Sequence, residues 1–364
     1  MNLAELMTDT AAEHGDETAL KLDDVEVSYS MLDQGSAAVA GLLKSKGFEV
    51  GDRVGIMLPN VPYFALIYYG VLRAGGIVVP MNPLLKGREV AYYLKDPGAK
   101  IMFGWKDFAE EAKTGSEKEG AELIVVEPGE FEKLLGDAEA DDTVVDRNES
   151  DTAVILYTSG TTGQPKGAEL THKNLTTNAN TARSLFDIST DDVCLGALPL
   201  FHSFGQTCGL NASMASGACL SMIPRFDPAK ALEIIQRDKV TVFEGVPTMF
   251  TAMLHCDTKD DYDVSSLKVC ASGGSAMPGE VMRGFEEAFK CTVLEGYGLS
   301  ETSPVASFNQ PEKGSKEGSI GMPVRGVEMR IVDEDHKEVE QGEVGEIAIR
   351  GENVMKGYWE RPEA

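Results

Sequence analysis

The stretch that decides the fold lies near the middle of the chain and reads TAVILYTSGTTGQPKG over residues 152–167. Its first five residues are mostly apolar and β-branched, which predicts a buried strand. The following positions, 158–167, contain three glycines, four small hydroxyl side chains and Lys166. Glycines let the backbone approach a ligand closely, and hydroxyls, amides and a lysine suit anionic oxygens. The stretch therefore predicts a strand that ends in a phosphate-binding loop.

The residue order of this loop bears on two other interpretations, an ordinary turn and a Walker-type P-loop. An ordinary glycine-rich turn does not require the lysine and the hydroxyl cluster together. The P-loop of Walker-type ATPases, which release ADP, has glycine before the lysine and serine or threonine after it. Here Pro165 precedes Lys166 and Gly167 follows it. The proline also disfavours helical geometry at Gln164, so the order disfavours a Walker-type loop.

The composition disfavours several partners and classes of protein, namely nucleic acid, membranes and structural zinc sites. The 364 residues carry a net charge of −26, which disfavours nucleic acid and anionic membrane surfaces as partners. The most apolar run, 63–72, stops at Arg73, too short for an integral membrane segment. The six cysteines form no C-x-x-C pair, which disfavours a structural zinc site and is typical of free thiols in a reducing compartment. We therefore expect a cytoplasmic protein.

Strand-like and helix-like runs alternate along most of the chain, from Arg53 to Leu294. This rhythm predicts an α/β fold with parallel sheets covered on both faces. From Ser319 the character changes, and the short runs 327–332 and 344–350 predict a small antiparallel barrel or sheet. We predict an α/β subdomain over 1–190 with the phosphate-binding loop, a second over 191–318, and a small β subdomain over 319–364.

Three further segments combine glycines with side chains that can carry chemistry. They read LPLFHSFG at 198–205, VCASGGSAM at 269–277 and LEGYGLSET at 294–302. By itself, His202 is more often a packed core histidine, and the glycine pair 273–274 is as often a tight turn. Tyr297 lies between glycines, so its ring can present a face to a flat heterocycle. Glu301 offers a hard oxygen ligand for Mg²⁺.

Together with the loop at 157–167, and in the same order, these segments resemble the motifs of the adenylate-forming superfamily. That superfamily includes acyl-CoA and aryl-CoA synthetases, peptide-synthetase adenylation domains and luciferases. The resemblance implies the large N-terminal domain of such enzymes, without the C-terminal lid domain and its lysine. The segments 318–323, 342–347 and 354–359 also resemble family segments, and we interpret them as structural.

The resemblance also implies roles for individual residues. Lys166, His202 and Glu301 would be catalytic, and Glu301 would bind Mg²⁺. The positions matching nucleotide-binding residues are Thr158, Ser159, Gly160, Thr161, Thr162, Gly163, Lys166, Gly274, Ser275, Glu295, Gly296, Tyr297, Gly298 and Ser300. The positions matching residues that bind the acid are His202, Phe204, Cys208, Gly273 and Gly274.

The implied activity is that of a carboxylate–CoA ligase that uses ATP, Mg²⁺ and coenzyme A. A fatty acid is the expected substrate, and an aryl or hydroxycinnamic acid is the alternative. A different class of function, a non-catalytic nucleotide- or acyl-binding fragment, stays open, since we expect this chain to turn over poorly by itself. The residues leave the oligomeric state open, with a homodimer as one alternative.

Overall fold

The computed structural model describes residues 1–158, 163–310 and 313–364. Its strands are β1 Thr18–Leu22, β2 Val25–Ser28, β3 Arg53–Met57, β4 Ile77–Pro80, β5 Ile101–Trp105, β6 Glu122–Val126, β7 Thr152–Thr158, β8 Lys166–Thr171, β9 Val193–Gly196, β10 Cys219–Met222, β11 Val242–Gly245, β12 Val269–Ser272, β13 Thr292–Gly298, β14 Val305–Phe308, β15 Met322–Pro323, β16 Val327–Val332, β17 Glu346–Gly351 and β18 Gly357–Tyr358.

Helices alternate with most of these strands. The α-helices are α1 Glu5–His14, α2 Tyr29–Ser45, α3 Pro62–Arg73, α4 Gly87–Lys95, α5 Ala109–Glu119, α6 Glu130–Gly136, α7 His172–Leu185, α8 Ala212–Ser216, α9 Pro228–Asp238, α10 Pro247–Leu254 and α11 Gly279–Phe289. A π-helix spans Phe204–Asn211, and 3₁₀ turns span Lys106–Phe108, Lys259–Asp261 and Ser300–Thr302.

The first sheet carries the strand that precedes the predicted phosphate-binding loop. Among the described residues it has seven strands in the order β18-β8-β7-β4-β3-β5-β6. The pairs from β7 to β6 are parallel, whereas β8 runs antiparallel to both β7 and β18. The first five residues of β7 are buried, as expected for an apolar, β-branched strand inside a parallel sheet.

The second sheet carries the three other motifs at the ends of its strands. In the described part of the chain it has nine strands in the order β15-β14-β13-β12-β11-β9-β10-β1-β2. Its central strands, from β1 to β13, are parallel, and antiparallel pairs close both edges. The predicted α/β fold is confirmed. Strands β1 and β2 come from the first predicted subdomain, yet they belong to this second sheet. The division at residue 190 therefore does not separate the two sheets, and the subdomain bounds stay a prediction.

The last part of the chain forms an antiparallel pair, β16 with β17, where the sequence predicted a small barrel or sheet. The short strand β18 then returns to the first sheet and pairs with β8. The end of the chain is therefore attached next to the strand that begins at Lys166.

Buried side chains from both sheets and from α3 belong to one shared hydrophobic cluster. Proline at the first helical position starts α3, and its side chains are buried over nearly the whole circumference. Tyr69 on this helix donates a hydrogen bond of 2.8 Å to Asn211 of the π-helix. Asn60, just before α3, donates to the carbonyls of Gly196 and Leu198 and accepts from the Leu200 amide. These buried contacts hold the loop after β9 against the first sheet.

Candidate active site

A cavity of about 480 Å³ lies where the parallel strands of the second sheet end. Its walls are the loop after β9, residues following β11 and β12, and the turn after β13. Ligands in α/β proteins bind at this carboxyl edge of the sheet. The lining residues that the sequence predicted are His202, Phe204, Gly273, Gly274, Gly296, Tyr297, Gly298 and Ser300. The structure thus brings three separate sequence motifs to one cavity.

The turn that carries Tyr297 is shaped by close backbone contacts on both sides. A side chain at Gly296 would lie 2.0 Å from the ring of Phe308, and one at Gly298 would lie 2.0 Å from the carbonyl oxygen of Pro304. These glycines therefore make room for β14, which pairs with β13, rather than for a ligand alone. The half-buried Tyr297 ring lines the cavity between them.

His202 and Phe204 occupy one wall of the cavity, at the start of the π-helix. His202 is exposed at the mouth, yet enough protein surrounds its ring that desolvation lowers the pKa of the imidazole. Its side chain is therefore held in the neutral form over a wider pH range than that of a free histidine. The Ser203 and Ser300 hydroxyls lie 3.5 Å apart, so this wall contacts the turn after β13.

Several predicted site residues lie away from the cavity lining. Cys208 is fully buried in the π-helix, and burial raises the pKa of its thiol. The Glu295 carboxylate accepts a 2.8 Å hydrogen bond from the Met277 amide, so it orders the loop after β12. Ser275 is exposed in that same loop and is not among the residues that line the cavity.

The sequence interpretation missed several apolar lining residues. They are Leu198, Pro199, Phe201, Val246, Met249, Leu299, Pro304, Val305 and Phe308. The signal that could have found Val246 and Met249 is their position just after β11, at the same sheet edge as the recognised motifs. Phe308 has no comparable signal, because it reaches the cavity only through the pairing of β14 with β13.

Lys166 and Glu301 are brought to one place by the last described strand. Lys166 begins β8, and its Nζ lies 5.1 Å from the centroid of the Tyr358 ring. The Tyr358 hydroxyl donates a 2.7 Å hydrogen bond to Oε1 of Glu301. Glu301 follows Ser300, which lines the cavity. Thr158 and Gly163 flank the predicted loop, and the four predicted residues between them, Ser159, Gly160, Thr161 and Thr162, lie outside the described residues.

The chemistry of Glu301 fits a magnesium ion that is bound together with phosphates. No group of three or more His, Cys, Asp or Glu side chains suited to a metal occurs among residues 1–158, 163–310 and 313–364. Mg²⁺ in phosphate-transferring sites is commonly held by one or two carboxylates and by substrate phosphate oxygens. A single carboxylate beside Lys166 is compatible with that arrangement.

The described residues contain no helix long and apolar enough to cross a bilayer.

Taken together, the fold and the cavity define an α/β protein whose sheet-edge site joins an aromatic, glycine-flanked turn to a lysine and a carboxylate. The family described as AMP-binding enzyme matches residues 7–359, so the chain belongs to this family. The resemblance to the adenylate-forming superfamily, and to the N-terminal domain of its members, is thereby confirmed.

Known relatives agree with this assignment. The long-chain-fatty-acid–CoA ligase of Bacillus subtilis is 34% identical over 99% of this chain and 71% of its own length. A feruloyl-CoA synthase from an Amycolatopsis species is 33% identical over 95% of this chain and 69% of its own length. The crystal structure of the anthranilate CoA ligase AuaEII in complex with anthranoyl-AMP superposes with a TM-score of 0.94. It is 26% identical, and the match covers 100% of this chain and 71% of that one.

Proposed function

We propose that this chain forms the adenylation site of an ATP-dependent carboxylate–CoA ligase acting on fatty acids. The carboxylate attacks the α-phosphorus of ATP, giving an acyl-adenylate and pyrophosphate. The thiolate of coenzyme A then attacks the acyl carbon, giving the thioester and releasing AMP. The observation that carries the proposal is the joining of Lys166, Glu301 and the Tyr297 turn beside one apolar cavity.

We assign the nucleotide half of the site from the family resemblance, and the charges of its residues suit a triphosphate with Mg²⁺. Tyr297 would receive the adenine on its ring, and the Ser300 hydroxyl would contact the α-phosphate. Lys166, with Thr158, Gly163 and the loop between them, would hold the β- and γ-phosphates. Glu301 would hold Mg²⁺, which neutralises phosphate charge when bound. The acid and the triphosphate repel each other, so neutralising charge and aligning the two reactants supply the catalysis, and no enzyme nucleophile is required.

The acid half of the site is apolar. Phe204, Val246, Met249 and Phe308 line the cavity, and no lysine or arginine of the described residues does so. A second charge on the acid would lose its hydration there without a partner, which disfavours dicarboxylic and amino acids. Two observations support a fatty acid as the substrate: the apolar walls of the cavity and the relation to long-chain-fatty-acid–CoA ligases. A hydroxycinnamic acid is the second candidate, favoured by the relation to feruloyl-CoA synthase.

The test is to offer the protein that contains this chain a panel of saturated fatty acids, hydroxycinnamic acids and dicarboxylic acids with ATP, Mg²⁺ and CoA. We expect acid-dependent AMP formation that is highest with fatty acids. Lys166→Ala and Glu301→Gln should each lower the rate by about 10²–10³, the usual effect of removing one group that stabilises developing charge.

Matched controls are Lys118→Ala and Glu334→Gln, both on exposed residues, which should keep the rate of the unchanged protein. If Lys166→Ala and Glu301→Gln also kept that rate, the non-catalytic binding function would replace the ligase. Highest activity with ferulate would assign the aryl acid as substrate instead.

A further inference from the structure

Tyr358 belongs to the segment 354–359, which the sequence analysis interprets as structural. Its side chain nevertheless contacts both Glu301 and Lys166, the two charged groups of the proposed triphosphate site. Its hydroxyl donates to Glu301 Oε1 at 2.7 Å, and its ring lies under Lys166 Nζ at 5.1 Å from the centroid. A hydroxyl that donates to one carboxylate oxygen limits rotation of the side chain and leaves the other oxygen to a ligand. A cation over an aromatic face is attracted by the ring quadrupole.

The backbone around Tyr358 is tied to the same two elements. The Met355 amide donates to the Glu301 carbonyl at 2.8 Å, and the Trp359 amide donates to the Gly167 carbonyl at 2.8 Å. Tyr358 itself pairs with Ala168 as β18 lies antiparallel to β8. The segment 355–359, which includes β18, therefore hydrogen-bonds through its backbone to Glu301 and to the strand that carries Lys166.

A second set of contacts anchors the segment just beyond β18. The Trp359 indole donates to the Asp96 carbonyl at 3.2 Å, and Arg361 forms an ion pair of 3.0 Å with the Asp96 carboxylate. Asp96 also accepts a 2.6 Å hydrogen bond from the Tyr157 hydroxyl, and Tyr157 lies in β7. The position of the Tyr358 ring is therefore fixed relative to the strand that leads into the predicted phosphate-binding loop.

We propose that Tyr358 is a positioning residue that orients Glu301 towards Mg²⁺ and Lys166 towards the triphosphate. The assignment rests on the proposed function. Groups held in place before the substrate arrives need no rearrangement when charge develops, and this makes their electrostatic contribution larger. Tyr358 would act through Glu301 and Lys166 without touching the reacting atoms.

The two contacts can be separated by two substitutions. Tyr358→Phe keeps the ring beneath Lys166 and removes the hydrogen bond to Glu301, whereas Tyr358→Leu removes both. Binding of ATP to the 364-residue chain would be measured by calorimetry across a range of Mg²⁺ concentrations and in EDTA. For Tyr358→Phe we expect the Mg²⁺ concentration for half-maximal ATP binding to rise about tenfold, with unchanged affinity in EDTA. For Tyr358→Leu we expect the affinity in EDTA to fall about threefold as well.

The matched control is Tyr63→Phe, because Tyr63 also donates a hydrogen bond to a carboxylate, that of Glu132, outside the cavity lining. It should leave both measurements unchanged. A double variant adds a readout that general loosening of the fold would not give. In a Glu301→Gln background, Tyr358→Phe should no longer alter the Mg²⁺ requirement, since the two residues act as one unit.

The outcomes separate this assignment from the proposed function. If the unchanged chain binds MgATP but Tyr358→Phe keeps its Mg²⁺ requirement, the positioning role is wrong while the ligase proposal stands. An equal Tyr358→Phe effect with and without the Glu301 carboxylate would also overturn the role. If the unchanged chain binds no MgATP, the proposed function fails, and the role of Tyr358 fails with it.

Discussion

At the scale of the residue, Glu244 is a carboxylic acid in a buried environment. It lies on β11, is buried, and its Oε1 has no hydrogen-bond partner in the described part of the chain. Burial without a compensating cation favours the neutral acid, and it raises the pKa of this carboxyl from 4.5 to about 8. Glu244 thus keeps its proton in the folded protein at pH values where the unfolded chain releases it.

Because the pKa of Glu244 differs between the folded and the unfolded state, this one residue should make the free energy of unfolding depend on pH. Between pH 4.5 and pH 8 the folded state binds more protons than the unfolded state, so the free energy of unfolding falls as pH rises. The loss is on the order of 5 kcal/mol, at about 1.4 kcal/mol per pKa unit over the shift from 4.5 to about 8. Glu244→Gln should remove it, so that the variant gains stability relative to the unchanged protein between pH 5 and pH 8.5 in urea denaturation.

The control is Glu287→Gln on the exposed face of α11, whose stability profile should run parallel to that of the unchanged protein. Parallel profiles for Glu244→Gln as well would show that this carboxyl does not retain its proton on folding.

At the scale of the element, the loop after β9 and the π-helix that follows are held by hydrogen bonds to Asn60 and to two tyrosines of α3. Asn60 makes three buried hydrogen bonds here, one of 2.9 Å to the last residue of β9 and two, of 2.8 and 3.0 Å, to the loop. Asn211 accepts from Tyr69 and donates to Tyr68, and these tyrosines lie on α3. The wall of the cavity that carries His202 and Phe204 therefore depends on side chains far from it in sequence.

Removing the Asn60 amide tests this dependence. Asn60→Ala leaves the Leu198 carbonyl and the Leu200 amide without the partner that Asn60 supplies, whereas the Gly196 carbonyl still accepts from the Ile223 amide. Each unpaired buried group costs about 1–3 kcal/mol. We expect a loss of about 3 kcal/mol or more in the free energy of unfolding, measured in urea. We also expect weaker binding of the acid, measured as its KM in the AMP-forming assay.

The comparison variant is Asn180→Ala, since Asn180 is an exposed amide on α7 that donates to Thr176 within its own helix. Its free energy of unfolding should change by less than about 1 kcal/mol. An equally small change for Asn60→Ala would mean that the loop is held by its apolar contacts alone.

At the scale of the whole molecule, a core shared by two sheets is surrounded by a strongly acidic surface. The net charge of −26 places many like charges on one compact body, and their repulsion opposes folding. Salt screens this repulsion, with a Debye length of about 10 Å at 0.1 M and about 3 Å at 1 M.

We therefore expect Tm to rise when NaCl is increased from about 0.05 M to about 1 M, as measured by scanning calorimetry. Surface ion pairs contribute little by themselves, so their screening should not reverse the effect. The repulsion term should also weaken near the pI of 4.6, which makes the gain from salt at pH 5 smaller than at pH 7.5. A Tm that is independent of salt at pH 7.5 would contradict this account.

The sequence by itself determined the α/β class, the buried strand over 152–156, and the motifs that line the cavity at His202, Gly274 and Tyr297. The structure extends that strand to Thr158. These follow from local pattern, because a buried strand needs a continuous apolar run and a close backbone approach needs glycine. Only the tertiary structure decided that Cys208 and Glu295 are buried away from the cavity lining, and that Phe308 and Val246 line the cavity.

The same holds for the contact between Tyr358 and Glu301, which are 57 positions apart. Strand pairing and packing between distant segments decide whether a given side chain faces the cavity or the interior. No periodic pattern in the sequence indicates these contacts, because they form only through the pairing of β18 with β8 and of β14 with β13.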